Sequence, residues 1–194
     1  MNKLHKYPTV LLLQIAFAAA AIVVAVVVMV EIKPMMEKTN QFEQRADSLS
    51  VLRDTVLVLR QMRENSRLAS EYLSKGITLA EHGKRDEAIN FYSRSIALDS
   101  SNPAAYDLRG YVFFKKKDYS LAVTDLERSV RIDSQYVWGH YNLALAYWHS
   151  GRQNEAVAEV KRVIAIDPGF KHVVRTDKQF SAFNTSAEFQ KLIE

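Results

Sequence analysis

The sequence predicts an all-α protein: an N-terminal transmembrane helix, a connecting helix, and a solenoid of three helix pairs followed by a C-terminal capping segment. Three observations predict this architecture. Residues 10–30 are apolar except for Gln14. Residues 35–68 contain neither glycine nor proline, which favours helix over a flexible linker. An alanine-centred apolar pattern recurs three times between residues 69 and 170.

The apolar segment 10–30 is long enough to cross a bilayer as a helix, since a rise of ~1.5 Å per residue gives about 30 Å. A cleaved signal peptide is the alternative, because Lys3 and Lys6 form a basic start and residues 18–21 are four alanines. Signal-peptide apolar regions run only ~7 to 15 residues. Here the apolar run continues through Val30, which favours a retained anchor.

The charges on either side of this segment predict its orientation. Lys3, Lys6 and the amino terminus precede it, whereas two acidic and two basic residues follow it within residues 31–38. The positive-inside rule then makes residues 1–9 a short cytoplasmic leader and places the repeats on the opposite side of the membrane. That side is the periplasm if the membrane is a bacterial inner membrane. The absence of cysteine is compatible with an oxidising compartment.

Residues 31–68 form the predicted helical connector. A heptad-like spacing within it indicates a short coiled coil and homo-oligomerisation through residues 42–59. Its apolar positions are Phe42, Leu49, Leu52, Val56 and Leu59. Two alternatives stay open: an amphipathic helix that folds onto the first repeat through Val51, Val58 and Met62, and a bare spacer.

The recurring pattern divides residues 69–170 into three units of equal length, 69–102, 103–136 and 137–170. Each unit places a small residue on its first helix and an alanine on its second, where two helices can approach closely. These predicted packing residues are Gly76, Gly110 and Ala144 on the first helices, and Ala88, Ala122 and Ala156 on the second. The predicted N-caps of the second helices are Asp86, Ser120 and Asn154, and Asn102 followed by Pro103 predicts another helix start.

On these positions the segment 69–170 resembles the tetratricopeptide repeat (TPR) family. It departs from the family pattern at Lys75 and Arg109, which replace a leucine, at Ser95 and Ser129, and at Lys117, which replaces a turn glycine. Residues 171–194 are similar to closing segments of such arrays and are predicted to cap the stack. Their apolar residues are Phe180, Phe183, Phe189, Leu192 and Ile193.

The resemblance implies that the first helices line a concave surface that binds a protein or peptide client. Family contact positions fall, in the first unit, on Ser70, Leu73, Ile77, Ala80 and Glu81, and in the second also on Ala104. The predicted partner-binding residues are Asp107, Tyr111, Phe114, Lys115, Trp138, Tyr141, Leu145, Trp148 and His149. Relatives that clamp the acidic C-terminus of chaperones carry lysine and asparagine where this chain has Leu73 and Ile77, so that clamp is not expected.

Charge and motif content argue against other function classes. The whole chain has a net charge of +4, but the repeats 69–170 carry 13 basic and 13 acidic residues, so no excess positive charge favours nucleic acid. The five histidines lack metal-ligand spacing, and His140 occupies a packing position. No phosphate-binding glycine loop or nucleophile elbow occurs, so neither enzymatic activity, a metal nor a cofactor is expected.

Two functional hypotheses follow. The first is a single-pass, membrane-anchored scaffold that binds a client polypeptide in its groove, in the manner of anchored repeat proteins of envelope assembly, secretion or protein maturation. The second is a structural component that self-associates through the connector and the repeats.

Overall fold

A computed structural model describes the backbone of residues 8–194 and the side chains from residue 12 onward. No strand occurs within these residues, which confirms the all-α class. Two compact units divide the chain, residues 1–60 and 61–194, and each is described by itself. The helices are α1 (Pro8–Glu81), α2 (Arg85–Leu98), α3 (Pro103–Lys115), α4 (Tyr119–Ile132), α5 (Val137–His149), α6 (Gln153–Ile166), α7 (Phe170–Thr176), a 3₁₀ helix (Lys178–Thr185) and α8 (Ala187–Ile193).

The first unit consists of the N-terminal part of α1. The predicted leader, residues 1–9, lies outside the described residues except for Pro8 and Thr9, which begin the helix. Helix α1 contains one stretch that is long and apolar enough to cross a membrane, and its side chains are exposed. The stretch meets this criterion by its length and composition alone, and a signal sequence near the N-terminus would meet it too.

Helix α1 is continuous through the predicted connector and on to the end of the first helix of the first repeat. No break separates residues 30 and 31 or residues 68 and 69, and Pro34 lies inside the helix. The absence of glycine between residues 8 and 75 explains this continuity, because nothing there favours a helix end. Exposed apolar side chains of the connector are Phe42, Leu49, Val51, Leu52, Val56, Val58, Leu59 and Met62.

The second unit stacks helices in pairs. The last turns of α1 pack on α2, α3 on α4, and α5 on α6. A β-carbon added to Gly76 would lie 2.5 Å from the ring of Tyr92, and one added to Gly110 would lie 2.8 Å from Leu126. All six predicted packing residues are buried: Gly76, Gly110, Ala144, Ala88, Ala122 and Ala156.

Two serines repeat the same hydrogen bond in successive units. The hydroxyl of Ser95 donates to the carbonyl oxygen of Ala69 at 2.8 Å, and that of Ser129 donates to the carbonyl oxygen of Pro103 at 2.9 Å. Both serines are fully buried. The equivalent residue of the third unit is Val163, which lies in the apolar core instead. The departure from the family pattern at residues 95 and 129 is therefore compensated by a polar contact between paired helices.

The turn between paired helices has the same backbone conformation in all three units. Gly83, Lys117 and Gly151 have φ values of 75°, 68° and 83°, the left-handed region. The next residue in each case donates its backbone N–H to a carbonyl five residues earlier, a Schellman pattern that ends the first helix (Lys84 to Leu79, Asp118 to Phe113, Arg152 to Tyr147). Lys117 thus adopts a conformation that favours glycine.

The predicted caps are partly wrong. The second helices begin one or more residues earlier than expected, so Asp86, Ser120 and Asn154 lie inside α2, α4 and α6 rather than capping them. The Schellman turns end so close to these helices that Lys84, Asp118 and Arg152 precede them without a side-chain cap. The predicted start of α3 is confirmed, since Asn102 accepts a hydrogen bond of 3.0 Å from the N–H of Ala104 and Pro103 follows it.

The C-terminal residues 170–193 fold against the last helix pair. Phe180, Phe183 and Phe189 form one aromatic cluster, with ring centroids 4.7 to 6.1 Å apart, and join the core around α5 and α6. Ser186 caps α8 by accepting a hydrogen bond from the N–H of Phe189. The segment therefore covers the apolar surface that the third unit would otherwise expose, as a terminal cap must.

Candidate functional site

A pocket of about 420 Å³ lies on the face formed by α3 and α5, the first helices of the second and third units. This volume falls within the range of small ligand pockets, ~300 to 1,000 Å³. Its lining combines two carboxylates with four aromatic rings: Asp107, Leu108 and Tyr111 of α3, Tyr136 before α5, Trp138, Tyr141 and Asn142 of α5, and Asp177 and Gln179 at the start of the 3₁₀ helix. We call it the 107/177 pocket.

Asp107 is the buried carboxylate of the 107/177 pocket, with only 3% of its surface exposed. Its Oδ1 accepts a hydrogen bond of 2.8 Å from the amide of Asn142, and its Oδ2 accepts one of 3.4 Å from the hydroxyl of Tyr136. Burial raises the pKa of Asp107 to about 6, and these two neutral donors only partly offset that effect.

Asp177 is the more accessible carboxylate. Its Oδ2 accepts a hydrogen bond from the hydroxyl of Tyr141, and its Oδ1 accepts one of 2.8 Å from the backbone N–H of Gln179. Burial acts to raise the pKa of Asp177, but these hydrogen bonds and the charge of Lys115 together hold the pKa below its ordinary value. Asp177 therefore has a lowered pKa beside a residue, Asp107, whose pKa is raised.

Aromatic rings form the walls. Trp138 remains 48% exposed, although its indole packs edge-on against Tyr141 and Phe170 with centroids 5.5 and 5.0 Å away. The ring of Tyr111 is partly buried, and the amine of Lys115 lies 5.5 Å from its centroid. A half-exposed tryptophan beside tyrosines provides contact area with little side-chain entropy to lose, as in many interface hot spots.

Four of the nine predicted partner-binding residues line the 107/177 pocket: Asp107, Tyr111, Trp138 and Tyr141. Three others form a separate group beside the turns. There the rings of Phe114 and His149 lie 5.3 Å apart, Tyr119 stacks on His149, and Lys115 is exposed. None of these three side chains lines the pocket, and the prediction is wrong for Phe114, which is only 9% exposed and belongs to the hydrophobic core.

The remaining two predicted partner-binding residues differ from expectation. Leu145 has no exposed surface and Trp148 only 8%, and both belong to the core cluster that the C-terminal phenylalanines join. The indole of Trp148 stacks on Phe183. The aromatic surface predicted for the third unit is thus largely occupied by the chain's own capping residues, and neither Leu145 nor Trp148 is open to a partner.

Sequence reasoning missed five lining residues: Leu108, Tyr136, Asn142, Asp177 and Gln179. Asn142 follows Tyr141 directly, but it lies outside the family's usual contact positions. Asp177 was assigned to the cap, and only the fold of residues 170–185 places its carboxylate beside α3 and α5. For Asp177 and Gln179, the sequence offers one signal: both are polar and directly precede Phe180, the first apolar residue of the 3₁₀ helix.

The predicted core histidine is placed as expected. His140 is buried, its Nδ1 lies 2.5 Å from a carboxylate oxygen of Glu159, and its Nε2 lies 3.1 Å from the carbonyl oxygen of Ser134. Across the residues whose side chains are described, no group of three His, Asp or Glu residues is arranged to hold a metal ion.

Comparison with known sequences identifies the repeats. Residues 76–117 and 110–151 match the model of a TPR repeat, and residues 139–170 match that of a tetratricopeptide repeat. Serine/threonine-protein phosphatase 5 of Rattus norvegicus is 26% identical over 108 residues, which are 56% of this chain and 22% of that protein. Small glutamine-rich tetratricopeptide repeat-containing protein 2 of Saccharomyces cerevisiae is 32% identical over 80 residues, 41% of this chain and 23% of that protein. The chain therefore spans about a fifth of the length of these relatives.

Solved structures show the same fold. MamA superposes with a TM-score of 0.56 at 22% identity, covering 64% of this chain and 71% of MamA. The first TPR of Spaghetti (RPAP3), solved with the HSP90 peptide SRMEEVD, superposes with a TM-score of 0.55 at 22% identity, covering 66% of this chain and 96% of that domain. Residues 76–170 of this chain are therefore tetratricopeptide repeats, a protein-interaction module in the proteins that carry them.

Proposed function

We propose that this protein is a membrane-anchored interaction module that binds a client polypeptide on the face formed by α3 and α5. The 107/177 pocket is the observation that carries the proposal, because it places exposed aromatic surface and hydrogen-bonding groups on the first helices of adjacent repeats. The identity of the segment as tetratricopeptide repeats supports a polypeptide rather than a small molecule as the ligand.

The relatives' peptides differ in chemistry from what this face accommodates. The HSP90 peptide solved with the Spaghetti domain, SRMEEVD, is acidic and ends in a carboxylate. Here the α3–α5 face carries Asp107 and Asp177, and the first repeat has Leu73 and Ile77 where a carboxylate clamp needs polar or cationic side chains. We therefore propose a client other than an acidic chaperone C-terminus.

Site-specific photocrosslinking tests client binding. A photoreactive residue at position 138, placed on the exposed edge of the pocket, should crosslink to a defined partner in native membranes. The matched control is position 121, an equally exposed apolar residue on α4, a second helix. Crosslinks to the same protein from both positions, or from neither, would contradict a client-binding role for the α3–α5 face.

The anchor is proposed on the apolar stretch of residues 10–30, with the repeats on the side of the membrane opposite the amino terminus. The apolar composition, broken only by Gln14, and the basic residues before it support this arrangement. The natural chain has no cysteine, so single cysteines introduced at Asn2 and Ser150 would report the two sides separately.

A membrane-impermeant maleimide applied to intact cells, with the outer membrane permeabilised where one exists, should label Ser150→Cys but not Asn2→Cys. Both should react after detergent lysis. Labelling of Asn2→Cys in intact cells would reverse the proposed orientation. Release of the protein by alkaline extraction, together with an amino terminus near residue 21, would show a cleaved signal peptide instead.

A structural, self-associating role is the second candidate. The exposed apolar side chains of residues 42–59 on α1 favour it, because a helix that exposes such a stripe commonly packs against a partner helix. Light scattering of the full-length protein in detergent tests it. Self-association is supported if the unsubstituted protein has the mass of an oligomer and the double variant Leu52→Glu, Leu59→Glu has the mass of a monomer. A monomeric mass for the unsubstituted protein refutes it.

A further inference from the structure

We propose that the 107/177 pocket receives a cationic side chain of the client, preferably an arginine. This inference rests on the proposed function, since it names the chemistry that one residue of a bound polypeptide must carry. It is carried by the arrangement of two carboxylates within a cavity walled by aromatic rings.

Neither carboxylate of the pocket forms an ion pair within the described part of the chain. Among the side chains from residue 12 onward, no lysine or arginine forms an ion pair with Asp107 or Asp177. Their hydrogen-bond donors are the neutral groups of Asn142, Tyr136, Tyr141 and Gln179. Buried carboxylates are ordinarily paired or hydrogen-bonded by charged groups. A guanidinium in the pocket would supply the missing positive charge.

The neighbouring pair formed by Arg109 and Asp125 shows the contrast. Arg109 donates two hydrogen bonds of 2.7 and 2.8 Å to Asp125, so that carboxylate is neutralised within the chain. Asp107 is more buried than Asp125 but has only an amide and a phenol as partners. Burial raises the pKa of Asp107, and a cation bound beside the carboxylate would act in the opposite direction.

The walls favour a planar cation. The rings of Tyr111, Tyr136, Trp138 and Tyr141 line the pocket, and cations are attracted to the faces of such rings, most strongly to tryptophan. Guanidinium groups stack on aromatic rings and donate to carboxylates in a fork geometry, whereas an ammonium acts as a point charge. Arginine therefore satisfies both the acidic and the aromatic surface.

Lys115 is the charge that opposes this arrangement. Its amine lies against Tyr111 and its field reaches Asp177. Lys115 is exposed, so solvent and salt screen its charge, while Asp107 is buried and screened much less. The negative charges of Asp107 and Asp177 therefore outweigh the screened positive charge of Lys115, and the pocket attracts a cation.

Peptide binding to the full-length chain in lipid nanodiscs tests the inference. The probes are fluorescent, end-blocked octapeptide pools with randomised uncharged residues around one fixed residue: arginine, lysine, citrulline or glutamate. Citrulline is the matched control, because it keeps the shape of arginine without its charge. Empty nanodiscs measure background, and binding is followed by fluorescence polarisation.

We expect the arginine pool to bind on the order of tenfold more tightly than the citrulline pool, with the lysine pool between them and the glutamate pool weakest. Asp107→Asn and Asp177→Asn should each reduce the preference for arginine over citrulline, since the amide retains acceptor capacity but not charge. Asp86→Asn, which removes a charge outside the pocket, should leave the preference unchanged. Thermal unfolding followed by intrinsic fluorescence confirms that each variant is folded. If one of the two aspartate variants fails to fold, the other alone tests the inference.

Equal binding of all four pools would overturn the cationic-pocket inference while leaving client binding intact. A preference for arginine that persists in both aspartate variants would likewise place the cation elsewhere. Binding of no pool above background would overturn both the inference and the proposed function. Tightest binding of the glutamate pool would overturn the inference and favour an acidic client, like the peptide solved with the Spaghetti domain.

Discussion

The indole of Trp148 stacks on the ring of Phe183, with centroids 4.0 Å apart and an angle of 18° between the planes. This contact joins the third repeat to the C-terminal segment. Trp148→Ala should therefore lower the free energy of unfolding by about 3 to 5 kcal/mol, the usual cost of removing a large buried side chain. Urea denaturation of the full-length protein in detergent measures it through intrinsic fluorescence, because both tryptophans lie in α5.

Trp138→Ala is the matched control for this substitution. Trp138 is six times more exposed than Trp148 (48% against 8%), so its loss should cost much less stability, about 1 kcal/mol. Equal destabilisation by the two variants would show that the stack with Phe183 contributes little to the fold.

Lys117 occupies the left-handed turn position that glycine holds in the other two repeats. Lys117→Gly should raise the free energy of unfolding by about 0.5 to 1 kcal/mol, because relief of the left-handed strain exceeds the entropy that glycine adds to the unfolded chain. Lys117→Ala should have little effect, and Gly151→Ala should destabilise by about 1 kcal/mol. A Lys117→Gly protein less stable than Lys117→Ala would contradict this account of the turn.

The Arg109 to Asp125 ion pair replaces a leucine of the family pattern with a partly buried polar contact. Arg109→Leu alone should cost about 2 to 4 kcal/mol, since it leaves the buried carboxylate of Asp125 unpaired. The double variant Arg109→Leu, Asp125→Ala should recover most of this loss. A double-mutant cycle measures the coupling, and simple additivity of the two single losses would argue against an interaction between these residues.

Asp107 links stability to pH. Its pKa is about 6 in the folded protein and near 3.8 in an unfolded chain, so the folded state binds more protons between these values. The stabilising contribution of this group is complete below pH 3.8 and is lost as pH rises through 6. The unfolding free energy of the unsubstituted protein, minus that of Asp107→Asn, should increase by about 1 kcal/mol from pH 7.5 to pH 5. A decrease over this range would mean that Asp107 is already paired with a charge in the folded state.

The fold was largely predictable because its signal repeats. A small residue at the position of Gly76 and an alanine at that of Ala88 recur in each unit with their neighbours, and one register fixes the packing of all three. The helix ends were less predictable: Asp86 looks like an N-cap in isolation, yet the Schellman turn at Gly83 starts α2 earlier. The backbone conformation of the turn, and not the N-cap preference of Asp86, therefore determines where α2 begins.

The candidate site was predictable only in part. Asp107, Tyr111, Trp138 and Tyr141 were identified because contact positions recur with the repeat. Asp177 could not be assigned to the pocket, since it belongs to a segment outside the repeat register and reaches α5 only through tertiary packing. The same packing buries Trp148, and a periodic pattern within the repeats contains no information about what covers them.

Because Phe183 stacks on Trp148, the third repeat cannot exchange places with either of the other two. The equivalent residues of the first two units are Ala80 and Phe114, neither of which offers an indole for this stack. A longer version of the protein made by duplication would keep this contact only if its last repeat carried a tryptophan at the position of Trp148. The Trp148–Phe183 contact thus fixes which unit must come last, because the capping segment requires the third unit's tryptophan beside it.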